Sequence, residues 1–126
     1  MKVTILSPEK TVFEGEVNSI LLPGVSGSFT VWNHHAPLLS ALEAGVVQTD
    51  DLVLLIDEGF AEVKNDRVNV LVEGAIPLNE IDLFEEEEIL AKLLKKSISG
   101  DAAMDAHLKE IQKYQVRIHA KKNILH

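Results

Sequence analysis

Cysteine is absent from the 126 residues, so neither a disulfide framework nor a thiolate metal site is available. Long apolar runs are absent too: the longest, Leu52 to Ile56, falls far short of the roughly 20 residues a spanning helix needs. Met1-Lys2-Val3-Thr4 has no secretory apolar stretch and enters a strand pattern at once. Basic charge is in deficit, with 12 Lys and Arg against 20 Asp and Glu, a net −8. Phosphate neutralisation needs clustered cations, so nucleic acid is excluded as a partner, and direct adhesion to anionic lipid with it. These absences describe a soluble chain that meets a membrane only through partners.

Catalytic and metal-binding patterns are missing as well. No Gly-rich phosphate loop of the Walker type occurs. His34, His35, Asp57, Glu58 and the run Glu85 to Glu88 are the groups from which a metal site would have to be built, and none has a recognised ligand spacing. Adjacent histidines on a strand point to opposite faces. The expectation is no catalytic residue, no cofactor and no metal.

What is present is an ordinary globular composition, 46% apolar and 25% charged. The length suits one domain, or a small domain with an appendage, and buries roughly two-thirds of the unfolded surface. The charge is uneven. Residues 1–78 hold four basic and eleven acidic groups, whereas residues 79–126 hold eight and nine. Most of the basic charge therefore sits in the last third.

The hydrophobic period changes at the same place. Up to about Pro77 the pattern is short and β-like: Val3 and Ile5 alternate with Lys2 and Thr4, and Glu16 to Leu22 forms a second run ending at Pro23-Gly24. A hairpin spans Gly59 to Val72, with Asn65-Asp66 as its two-residue turn. That turn pairs Lys64 with Arg67, Val63 with Val68 and Ala61 with Val70, leaving Glu62 and Asn69 on the other face. Leu52 to Ile56 is apolar throughout, as in a strand covered on both sides. Past Pro77, Asp82 caps a helix, with Glu85 completing a capping-box-like pair; Leu83, Leu90, Leu93 and Leu94 share one side of it. Ser97 to Asp101 breaks the pattern, and Asp101 is placed as the cap of a second helix with Met104, Leu108, Ile111, Tyr114 and Ile118 as its stripe. A short loop between amphipathic helices makes an antiparallel hairpin. The fold class expected is α+β: an antiparallel β-sandwich over 1–78, then a two-helix hairpin over 79–126.

Specific strings give this architecture a family. The blocks are Lys2-Val3-Thr4-Ile5-Leu6-Ser7-Pro8-Glu9, Val12-Phe13-Glu14-Gly15-Glu16-Val17, Leu22-Pro23-Gly24-Val25-Ser26-Gly27-Ser28-Phe29, His35-Ala36-Pro37-Leu38-Leu39 and Gly59-Phe60-Ala61-Glu62-Val63. In order and spacing the chain resembles the epsilon subunits of F-type ATP synthases, over nearly all of residues 1–75. The resemblance implies a non-catalytic rotor subunit, turning with the central stalk while ions cross the membrane sector. It implies a sandwich that binds the gamma subunit and the c-ring, and a mobile hairpin that touches the alpha and beta catalytic subunits transiently and restrains ATP hydrolysis. It implies a peripheral place on the cytoplasmic face of the inner membrane, or on the stromal face of the thylakoid in a plastid.

Residue by residue, the resemblance assigns Phe29, Val31, Trp32, His35, Leu38 and Leu39 to contact with the c-ring and gamma. Read from sequence alone, Trp32 has a second placement, inside the core. Val31-Trp32-Asn33-His34 departs from the family's usual Leu-Pro-Gly ahead of His-Ala-Pro. Lys109, Lys113, Arg117 and Lys121 recur every four residues as a basic line with few local counter-charges, either a solvated face or a cationic edge for the catalytic subunits. Some bacterial relatives bind ATP through Ile/Leu-Asp, two variable residues and Arg-Ala. Here Ile81 and Asp82 match, but Glu85-Glu86 replace Arg-Ala, and carboxylates beside a triphosphate repel it. The rival reading is a stand-alone β-sandwich binding module with the helical hairpin as its dimerisation element.

Overall fold

The computed structural model describes residues 1–123. Ten strands come first: β1 (Lys2–Leu6), β2 (Thr11–Glu16), β3 (Ser19–Gly24), β4 (Gly27–Trp32), β5 (Leu38–Leu42), β6 (Gly45–Gln48), β7 (Val53–Ile56), β8 (Gly59–Lys64), β9 (Arg67–Val72) and β10 (Ala75–Pro77). A 3-10 turn, Leu78–Glu80, leads into α1 (Leu83–Lys95) and α2 (Asp101–Asn123). The chain divides into two compact units, Met1–Pro77 and Leu78–His126.

In the first unit the strands follow one path, β10-β7-β6-β3-β5-β8-β9-β1-β2, with β4 paired to β3. The path folds over at the single bridge between Gly24 of β3 and Leu42 of β5, giving two layers that share one core. Period-2 alternation supplies that core. Val3 and Ile5, Ala61 and Val63, and Val68, Val70 and Val72 come from one layer; Ile20, Leu22, Val31, Val47, Leu54 and Ile56 come from the other. Each such side chain contributes about 1.5–3 kcal/mol on burial.

The β8–β9 hairpin has the register expected from its turn, Lys64 opposite Arg67, Val63 opposite Val68 and Ala61 opposite Val70. Asn65 and Asp66 both take positive φ, 53° and 59°. That is the conformation a two-residue type I′ turn demands and which Asx residues tolerate. Leu54 and Ile56 on one face of β7 and Leu55 on the other are all buried, as the unbroken apolar run implies.

Two features depart from the pattern-based reading. The run Glu16 to Leu22 is split, because β2 ends at Glu16 and β3 begins at Ser19. Asn18 marks the break: its backbone N–H and its side-chain amide both donate to Asp50 Oδ2, at 3.1 and 3.0 Å. The break lets the chain leave one layer for the other. The sheet is also not wholly antiparallel, since β1 lies parallel to β9 with Val3 opposite Val68 and Ile5 opposite Val70. Burial of both alternating sets on one side fixes that pairing, and no local turn encodes it.

In the second unit Asp82 caps α1, its side chain accepting the Glu85 N–H at 3.1 Å. Asp101 is the first helical residue of α2 rather than its cap. The Gly100 carbonyl accepts the Met104 N–H at 2.9 Å, which puts the cap one residue earlier. Gly100 has φ 96°, so the tight loop uses the residue type that tolerates it. Among the described residues no helix is long and apolar enough to cross a membrane.

Candidate functional site

Alternation along β4 decides which of the loop-edge residues can meet a partner. Val31 points inward and is completely buried, so it is withdrawn from the contact set expected from sequence. Its neighbour Trp32 therefore points outward, with 62% of its surface exposed, and does not plug the core. Phe29 and Leu38 are half-buried and pack against the core, supporting the edge from below. Leu39 is the most exposed of the group at 72%. His35 is half-buried and held in place: its N–H donates to the Trp32 carbonyl at 3.2 Å. Its Nδ1 lies 2.6 Å from the Ala36 carbonyl oxygen, a contact that needs the proton on that nitrogen. His34 takes φ 64° and donates its N–H to Asp66 Oδ1 at 3.1 Å, tying the loop to the β8–β9 turn.

A second outward face lies on β8 and β9. Phe60 and Leu71 are cross-strand partners, exposed at 58% and 53%. With Val25, also exposed, they border an open hollow of about 640 Å³. Leu6, Pro8 and Ala41 line it, and Glu58 and Glu73 stand among its walls. Apolar side chains grouped in this way mark a surface used for contact. The signal was in the sequence: the register that turns Glu62 and Asn69 outward turns Phe60 and Leu71 outward with them. Gly59 keeps the two strands close here, because a Cβ at this position would collide with the Leu71 carbonyl oxygen.

The helical hairpin has a polar joint. On α1 the inward positions are Leu83, Glu86, Ile89, Leu90 and Leu93, and Glu86 is the one fully buried among them. Leu94, expected in the stripe, is exposed instead. Arg117 of α2 reaches Glu86, Nη1 to Oε1, at 3.4 Å, with side chains only 16% and 10% exposed. The guanidinium also lies 5.3 Å from the centre of the Tyr114 ring. Lys122 pairs with Glu87 at 3.1 Å on the solvent side.

The basic line, expected to have few local counter-charges, is thus engaged, and Arg117 within the hairpin itself. Besides Arg117, Lys113 pairs with Glu110 at 3.6 Å, and Lys121 Nζ donates to the Leu78 carbonyl at 3.3 Å. Lys109 is engaged too. Counting charges along α2 alone missed this, because Glu86 is 31 residues from Arg117 in the chain. Toward the loop end the hairpin leaves Leu94, Met104 and Leu108 exposed.

The family of the ATP synthase delta/epsilon chain beta-sandwich domain matches residues 1–78. The ATP synthase epsilon chain of the chloroplast of Cyanidioschyzon merolae is 33% identical, covering 95% of this chain and 96% of the relative. That of Helicobacter pylori is 34% identical over 89% and 96%. The chain belongs to the ATP synthase epsilon family.

Solved structures share the fold of this epsilon-type chain. A chain in the mitochondrial ATP synthase of Euglena gracilis, seen with the c-ring, superposes with a TM-score of 0.75 at 21% identity, covering 98% of this chain and 80% of that one. One from the central stalk and c-ring of Tetrahymena thermophila gives 0.72 at 18% identity, with 95% of each chain covered. Epsilon chains are accessory to the synthase, and this one is an accessory, non-catalytic subunit.

The residues of this chain at the positions of that partly matched ATP motif have structural tasks. Ile81 is buried, and Asp82 spends its side chain on the cap of α1. Glu85 is exposed in the first turn, and Glu86 turns inward to Arg117. Among the described residues no three His, Asp or Glu side chains converge on a metal-sized site.

Proposed function

We propose that this chain couples the rotor of an F-type ATP synthase to its membrane sector, with the sandwich docked on gamma and the c-ring and the hairpin restraining ATP hydrolysis. The observation that carries the reading is the pairing of a stiff, fully cored sandwich with outward apolar groups at two places. Trp32 turns outward at the end of β4, with His35 half-buried in the loop beyond it. Leu39, opposite Glu62, turns outward on the layer of Phe60 and Leu71, which with Val25 form the second face; Phe29 and Leu38 pack on the core. Glu58 and Glu73 beside the second face fit a partner that brings apolar side chains ringed by Lys and Arg. A coupling that transmits torque needs a rigid body gripped over a broad area, and ten strands around one aliphatic core supply it.

The exposed Leu94, Met104 and Leu108 support a second resting place for the hairpin. When it extends, Arg117 leaves Glu86 and Lys121 leaves the Leu78 carbonyl, and the line of Lys109, Lys113, Arg117 and Lys121 faces acidic loops of the alpha and beta catalytic subunits. The chain sits peripherally, on the cytoplasmic face of a bacterial inner membrane or the stromal face of a thylakoid. Co-purification with gamma and the c-ring tests the docking: the wild-type chain is retained, and Phe60→Asp or Trp32→Asp lowers retention. A chain that never associates with either component overturns the reading.

A further inference from the structure

We propose that Glu86 and Arg117 form a reversible ionic latch that holds the two helices of the hairpin shut. Among the described residues Glu86 Oε2 is the buried side-chain oxygen with no hydrogen-bond partner, while Oε1 takes the Arg117 contact. A carboxylate half satisfied in this way sits near energetic balance: it gains the Arg117 charge when closed and full hydration when open. Buried ion pairs of this kind contribute little net stability over apolar packing, yet losing one member strands the other charge. That combination suits a joint that opens and recloses. A second inter-helix pair, Glu87 with Lys122, is about half exposed on both sides and screened by water, so it contributes little. Apart from Glu86 and the small Ala120, both buried, the inward rows of both helices are only half-buried, which leaves the closed state without a dominating apolar seam.

The latch rests on the brake reading only for its consequence in the synthase, and its test is separate. The chain has no cysteine, so Glu88→Cys with Gln115→Cys gives two exposed labelling sites on α1 and α2. Pulsed spin-label distances in the full chain then report the separation of the helices. Glu86→Gln keeps the shape and removes the charge; it should raise the population of wide separations about tenfold or more, whereas Glu87→Gln leaves it unchanged. Exchanging the charges, Glu86→Arg with Arg117→Glu, should restore the closed distribution. Replacing the pair by apolar groups, Glu86→Leu with Arg117→Met, should close it further. An unchanged distribution in Glu86→Gln, or opening in the apolar double variant, overturns the proposal. Opening in Glu86→Gln without any rise in inhibition of ATP hydrolysis supports the latch and refutes the brake.

Discussion

Phe60 and Leu71 face each other across β8 and β9 and turn more than half of their surface to solvent. Cross-strand apolar pairs are ordinarily buried, and an exposed one on a well-cored sheet marks a contact surface. Phe60→Asp should therefore cost folding only about 1 kcal/mol, the loss of a half-exposed cross-strand pair and of strand propensity. It should weaken gamma binding by about 2 kcal/mol, as for an aromatic anchor in an interface. Titration calorimetry with gamma, set beside a thermal melt of the free chain, separates the two effects; a loss of stability without a loss of binding contradicts the assignment.

Gly59→Ala acts in the opposite sense. The new Cβ collides with the Leu71 carbonyl oxygen, which belongs to the paired backbone and cannot swing away. Strand β8 has to move off β9, at a cost of about 1–3 kcal/mol. Urea unfolding followed by circular dichroism checks this, and an unchanged midpoint refutes it.

The cap of α1 is a third point of test. Asp82→Ala removes the acceptor of the Glu85 N–H and should cost about 1 kcal/mol, confined to the hairpin. Hydrogen exchange should quicken at the first turn of α1 and stay unchanged in β8 and β9. Uniform quickening throughout the chain is the contrary result.

Nucleotide binding is expected to fail. Asp82 is committed to the cap, Glu85 brings negative charge where an arginine would neutralise phosphate, and Glu86 is turned inward to Arg117. Calorimetry with ATP should show no saturable heat at concentrations up to about 1 mM, corresponding to binding weaker than about −4 kcal/mol. A clear isotherm contradicts the argument from these carboxylates.

Local rules made part of this molecule readable. The Asn65-Asp66 turn fixed a register because only primed turns match strand twist, and Asp82 with Glu85 marked a helix start by capping chemistry. The parallel pairing of β1 with β9 was not readable, since no turn links residues more than 60 positions apart. From sequence, Val31 joins the contact set and Trp32 stays between contact and core, because the apolar content of β4 does not reveal its parity; the buried side is settled only once β3 and the core are in place. Glu86 escaped notice for a related reason. Periodicity counts apolar residues, and a buried carboxylate is paired by a cation on another helix.

Reconstitution asks whether the sandwich docks on the rotor while the hairpin restrains hydrolysis. Gamma and the catalytic hexamer are assembled with the full chain, or with a chain ending at Leu78, and ATP hydrolysis is measured in each. Both forms should bind gamma, and only the full chain should slow hydrolysis. Equal rates with the two forms, or no binding by either, would contradict the account.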